Sequence, residues 1–111
     1  MLLGLITPVE NELRIYGYEN ESNVKAYKPG IITKIIKNSY DKSEVILVKS
    51  NDIIFVYKNL TNVKVNVHDK ISENQILGQI LTINSENYLG FEIWNKNAEK
   101  LDPIKYLKND L

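Results

Sequence analysis

Short runs of β-branched and aromatic residues recur along the chain, each bounded by Asn, Asp, Ser, Lys or Gly. The clearest are Ile31 to Ile36, Glu44 to Lys49, Asp52 to Tyr57, Asn62 to Val67, Leu77 to Ile83 and Leu89 to Asn95. Such runs suit a pleated, half-buried surface, and their close spacing predicts an all-β sandwich or barrel. In Asn62-Val63-Lys64-Val65-Asn66-Val67 polar and apolar residues alternate, which predicts a strand with one wet face and its valines turned inward. The polar tetrad Lys49-Ser50-Asn51-Asp52 suits a hairpin turn, so the strands on either side should pair antiparallel. No stretch sustains a helical period, but Asp102 followed by Pro103 reads as a helix cap and first helical residue, predicting a short helical turn over Ile104 to Leu107. Residues 10–23 read as the loosest stretch. The apolar opening Met1-Leu2-Leu3-Gly4-Leu5-Ile6 is far shorter than the roughly 20 residues of a membrane helix. It reads either as the remnant of a removed export signal or as a first strand.

Length narrows the search to one site or one surface, because 111 residues suffice for one hydrophobic core and not for two. With no low-complexity segment or long repeat, residues 1–111 are expected to form a single domain. Hydrophobic content of 43% and charged content of 25% are ordinary for a globular protein, so membrane insertion of the domain is not expected. Fourteen basic residues balance fourteen acidic ones without a long single-sign run. The counterion release that drives general nucleic-acid binding therefore has no source, and nucleic acid is not an expected partner. Without cysteine, thiolate catalysis, disulfides and cysteine-ligated zinc are excluded. Arg14 is the lone arginine amid abundant Ile, Asn, Lys and Tyr, a codon bias rather than a mechanism.

Several landmarks together resemble one family. Val24-Lys25-Ala26-Tyr27-Lys28-Pro29-Gly30-Ile31-Ile32 is similar to the V-x-A-x-x-x-G-x-V strand-turn-strand of the lysostaphin and LytM-type zinc peptidoglycan endopeptidases. Tyr57-Lys58-Asn59-Leu60 is similar to their Y-x-H-L. The stretch from Val65 to Gly78 resembles their V-x-V-G-D-x-V-x-x-G-Q-x-I-G, with His68 and Asn74 in the two glycine places. Both residue types tolerate a left-handed backbone better than most. That stretch is shared with biotinyl and lipoyl carriers and with sugar phosphotransferase domains. Finally, Leu89 to Leu107 resembles the family's L-H-F-E-[IV] strand, polar turn and hydrophobic-D-P-x-x-[YF]-L ending. The resemblance runs over about residues 24–107. It implies an antiparallel β-sandwich or barrel of the duplicated hybrid motif type, with a short C-terminal helical turn.

The same resemblance locates what this chain lacks. A hydrolytic zinc site needs three protein ligands and an open position for water. The family draws them from an upstream H-x-x-x-D and the second histidine of H-x-H. Here Tyr88 and Gly90 stand at the two histidines of H-x-H, and Asn59 at that of Y-x-H-L. Arg14 to Asn23 contains neither His nor Asp. The expectation is no catalytic residue, no metal and no cofactor. His68, the only histidine, falls at a turn position rather than a ligand position. Strand alternation groups Tyr88 with Gly90 and Glu92, and Tyr57 with Asn59. A vestigial groove formed by Tyr57, Asn59, Tyr88, Gly90 and Glu92 is one expectation; the other is that these residues merely fill the space of the lost zinc site. Phe91 falls on the opposite side and is expected in the core, with Trp94 partly exposed. Glu86, Glu92, Glu99 and Asp102 invite a search for a glycosidase-like acid pair, but Glu92 belongs to the F-E-I strand and Asp102 to a helix cap.

Two functions follow from the resemblance. The first is a non-catalytic scaffold or regulatory protein-binding module in the bacterial cell envelope, outside the cytoplasm. The second is a non-hydrolytic peptidoglycan-binding module. A carrier or phosphotransfer role is disfavoured, because a carrier's lysine is flanked by methionines and Met1 is the only methionine, while phosphotransfer would rest wholly on His68.

Overall fold

The computed structural model of the protein describes residues 6–9, 11–16, 22–82 and 87–109. Its strands are β1 (Ile6–Val9), β2 (Glu12–Tyr16), β3 (Asn23–Lys25), β4 (Gly30–Lys37), β5 (Glu44–Ser50), β6 (Ile53–Thr61), β7 (Lys70–Ile71), β8 (Ile76–Ile80) and β9 (Tyr88–Asn95), followed by the helix α1 (Pro103–Asn109). Pairing is antiparallel throughout, in the order β1-β2-β9-β6-β5-β4-β7, while β8 pairs with both β6 and β3. The all-β architecture and short C-terminal helix expected from the sequence are both present.

Strand alternation gives the central sheet two unlike faces. Its inner face buries Leu13, Ile15, Ile32, Ile46, Val48, Phe55, Tyr57, Leu89, Phe91 and Ile93. Val24, Ala26, Val65, Ile71 and Leu77 complete that core from the opposite side. Phe55 stacks on Phe91 at 6.0 Å, and Tyr106 of α1 meets Phe55 edge-on at 6.1 Å. Asp102 Oδ1 accepts hydrogen bonds from the Ile104 and Lys105 amides, the capping expected of an Asp-Pro start. The outer face of β2, β9, β6, β5 and β4 remains for a site.

Local chemistry explains the turns. Ser50 pairs with Ile53, so only Asn51 and Asp52 form the β5–β6 hairpin loop, and Asn51 adopts φ 56°. His68 and Asn74, the two residues in the family's glycine places, have φ 78° and 66°. Their amides close the turns onto the Ile32 and Ala26 carbonyls.

Two expectations are corrected. Residues 62–67 are not a strand: Asn62 turns left-handed at φ 50°, ending the β6 ladder at Thr61. The segment continues extended, with the Lys64 amide on the Leu77 carbonyl. Val65 is buried and Val63 packs on the core, but Val67 faces solvent. Residues 10–23 are not uniformly loose, since β2 lies within that stretch, β3 begins at its last residue, and Leu13 and Ile15 are core residues. Within the apolar opening, Ile6 begins β1 and Met1 to Leu5 lie outside the described residues. The run expected to reach Ile83 ends as a strand at Ile80, and Ile83 and Glu86 also lie outside them.

Candidate functional site

The outer face holds a groove of about 390 Å³ that crosses the sheet from β2 to β4. Glu12 and Arg14 come from β2, Tyr88 from β9, Lys58 and Asn59 from β6, Val45 from β5 and Ile36 from β4. The loop from Asn38 to Ser43 forms its wall. That loop is held by its own side chains, with Asp41 Oδ1 accepting from the Ser43 amide at 2.9 Å and its hydroxyl at 2.7 Å. These bonds hold the Asp41 carboxyl below the ordinary aspartate range.

Asn59 enters this face through a backbone irregularity. Three steps of β6, from Tyr57 to Leu60, oppose two steps of β5, from Ile46 to Glu44. The extra residue is a β-bulge, and Asn59 takes φ 68° within it. Its Nδ2 donates to the Leu81 and Tyr88 carbonyls at 3.0 and 2.7 Å. Asn59 therefore fastens the β8 and β9 ends to β6 beside the groove.

Beneath the groove runs a charge network. Lys58 Nζ donates to Glu12 Oε2 at 2.6 Å and to Glu92 Oε2 at 3.0 Å. Glu92 Oε1 accepts from the Trp94 indole at 2.9 Å and lies 3.5 Å from Lys100 Nζ. Arg14 Nε reaches Glu12 Oε1 at 3.3 Å, and its guanidinium lies 4.9 Å above the Tyr88 ring. The Glu92 side chain is only 3% exposed. Burial alone would push its carboxyl up, but the Trp94 and Lys58 hydrogen bonds and the charges of Lys58 and Lys100 outweigh it. Glu92 is held below the ordinary glutamate range and stays ionised at neutral pH. Burial would lower the Lys58 ammonium, yet Glu12 and Glu92 raise it above the ordinary lysine range.

The five residues expected to share a groove are divided by this geometry. Asn59 and Tyr88 line it. Gly90 and Glu92 are buried beneath Lys58 and Glu12. Tyr57 is a correction: it is fully buried in the core and its hydroxyl accepts from the Tyr27 amide at 2.9 Å. Alternation would place Tyr57 and Asn59 on one side, but the bulge at Asn59 breaks it. Phe91 is in the core and Trp94 half-buried, as expected. His68 is an exposed turn residue. Glu99 accepts a hydrogen bond from Asn95 and Asp102 caps α1. Glu12, Arg14 and Lys58 were not expected at the site. For Glu12 and Arg14 the signal is the period-two pattern Glu12-Leu13-Arg14-Ile15-Tyr16, hidden within a stretch read as loose; Lys58 lies inside the Tyr57-Lys58-Asn59-Leu60 landmark.

Residues 14–103 match the family described as "Peptidase family M23". The chain belongs to peptidase family M23. No curated protein matches it. Among solved structures, CbpA from L. salivarius REN is similar at 22% identity and TM-score 0.71, covering 97% of this chain and 84% of that one. A chain of the SpoIIIAH and SpoIIQ complex is similar at 23% identity and TM-score 0.75, covering 93% of this chain and 78% of that one. The catalytic domain of the antimicrobial peptidase lysostaphin from Staphylococcus simulans is similar at 19% identity and TM-score 0.70, covering 97% and 90%. At these identities the likeness shows the fold.

The M23 resemblance implies zinc, and the residues present do not fit it. At the second histidine of H-x-H stands Gly90, and even a Cβ built there would lie 3.1 Å from Lys58 Cβ and 3.3 Å from Glu12 Oε1. A ligand side chain at that position would have to displace the Glu12–Lys58 pair. At the histidine of Y-x-H-L, the Asn59 amide is engaged with two backbone carbonyls. Among the described residues no group of three or more His, Cys, Asp or Glu could hold a metal ion. Also among them, no helix is long and apolar enough to cross a membrane.

Proposed function

We propose that this chain is a non-catalytic M23 domain that serves as a protein-binding scaffold or regulatory module in the bacterial cell envelope, outside the cytoplasm. The observation behind this reading is the Glu12–Lys58–Glu92 network, packed against Gly90 where the family places a ligand. The Lys58 ammonium between the two carboxylates, with Arg14 on Glu12 and Lys100 beside Glu92, offsets the charge that would attract a cation and fills the space one would need. The fold remains, with an open groove above the network. A solved chain of this fold belongs to the complex of SpoIIIAH and SpoIIQ, and we extend protein binding from that chain to this one as part of the proposal. The groove offers aromatic, amide and apolar groups through Tyr88, Asn38 and Ile36, a mixture suited to a protein surface.

A second reading, peptidoglycan binding without hydrolysis, is favoured by the groove's length across five strands and its polar wall. Co-sedimentation of the chain with purified peptidoglycan separates the two, with a Tyr88→Ala, Ile36→Ser variant as control. The scaffold reading expects no saturable pelleting, together with crosslinking of one envelope protein to a photoreactive residue at position 36 that is lost in a Tyr88→Ala background. Saturable pelleting abolished in the control would replace it by the wall-binding reading. Release of wall fragments by the zinc-loaded chain would overturn both.

A further inference from the structure

A second concavity lies on the same outer face, at the junction of β5, β4 and β7, away from the groove. It measures about 480 Å³. The pairing register builds it: Ile31 of β4 stands opposite Lys49 of β5 on one side and opposite Lys70 of β7 on the other. Directly paired residues share a face, so the three side chains form a row, with the two lysines roughly 10 Å apart at two interstrand spacings. Ile31, between them, is 45% exposed. Ser50, Asn51 and Ser72 complete the lining with polar groups. A Cβ on Gly30 would collide with the Lys49 carbonyl oxygen, so glycine is what allows β4 and β5 to close up beside it.

The charge here differs in kind from that of the groove. There, Arg14 and Lys58 face Glu12, Glu92 and Asp41; here Lys49 and Lys70 are the only charged residues in the lining. Neither ammonium has an ion-pair partner among the described residues. Asp69, next to Lys70, accepts from the Asn66 amide, and Asp52 and Glu73 lie in the neighbouring turns outside the lining. Two unneutralised cations in one concavity make a site for anionic groups. The exposed isoleucine between them adds a second demand, because a ligand that engages both ammoniums must pass its linker across Ile31 with C–H groups toward the sheet and any hydroxyls toward water.

We infer that this pocket binds a polyol phosphate chain, one phosphate on Lys49, the next on Lys70 and the carbon linker over Ile31. Lysine suits a phosphate as a point charge, and the Ser50 and Ser72 hydroxyls supply further donors.

The test is titration of the full chain with a glycerol phosphate hexamer and, separately, with inorganic tripolyphosphate, followed by amide chemical shifts. The expected result is saturable binding of the hexamer with shifts confined to residues around Lys49, Ile31 and Lys70. Lys49→Gln with Lys70→Gln should weaken it roughly tenfold, the effect of two exposed ion pairs. Ile31→Ser should weaken the hexamer and not tripolyphosphate, and Lys34→Gln with Lys37→Gln should leave both unchanged. Equal affinity for the two probes would overturn the linker assignment. Unsaturable binding, or affinity retained in the Lys49/Lys70 variant, would overturn the site.

Discussion

Lys58 and Gly90 face each other directly across β6 and β9, and a Cβ on Gly90 would lie 3.1 Å from that of Lys58. The absence of a side chain at position 90 and the salt bridges of Lys58 are therefore one arrangement: glycine leaves the room in which the lysine bridges Glu12 and Glu92.

Lys58→Met should destabilise the fold by about 2 kcal/mol, below the usual penalty for breaking a buried pair because the ammonium is partly solvated. The loss arises from Glu12 and Glu92 facing each other without the ammonium between them, with only Arg14 and Lys100 left at their outer edges. Chemical denaturation at neutral pH measures it.

The same network sets an acid dependence. Glu92 is held below its ordinary value of 4.5, so its stabilisation is present above that value and disappears as pH falls through the lowered folded value. The deficit of Lys58→Met relative to the natural chain should shrink over that acidic window. Lys58, raised above its ordinary 10.5, contributes below that value and loses its contribution only as pH rises past the raised one. Denaturation midpoints across pH check both signs.

Asn59→Ala should cost about 2–3 kcal/mol, combining a left-handed Cβ penalty with loss of the hydrogen bonds to Leu81 and Tyr88. Asn59→Gly should recover about 1 kcal/mol of that by removing the Cβ. Equal stability of the two variants would show that backbone strain at φ 68° contributes nothing.

Tyr57→Phe removes the phenol that accepts from the Tyr27 amide, for a cost of about 1 kcal/mol. Burial raises the Tyr57 hydroxyl well above the ordinary tyrosine range, so its loss has no charge component at neutral pH. Because the residue faces the core, crosslinking through position 36 should be unchanged, whereas Tyr88→Ala should abolish it.

Much of the fold was legible because the strands around Ile46, Phe55 and Phe91 combine β-branched and aromatic runs with turns that Asn51, His68 and Asn74 can make. Two failures share a physical origin. Period-two alternation in Asn62 to Val67 reports an extended backbone with one face toward the core, but it does not report a ladder partner. Asn62 removes that partner by turning left-handed. Alternation likewise grouped Tyr57 with Asn59, and one inserted residue in β6 put them on opposite faces. A bulge leaves no mark in hydrophobic periodicity, although an Asn in a strand is a hint of one. The network at Gly90 was hidden for a different reason: Glu12, Lys58 and Glu92 are distant in sequence, and only the β2–β9–β6 order brings them together.

On the reading proposed above, the Glu12–Lys58–Glu92 network occupies the place of a catalytic zinc. Calorimetric titration of the full chain with zinc, beside a Tyr88→His, Gly90→His, Lys58→Ala variant, tests it most directly. The natural chain should show no stoichiometric tight binding. One zinc bound tightly per natural chain, competed by protonation of Glu12 and Glu92, would contradict it.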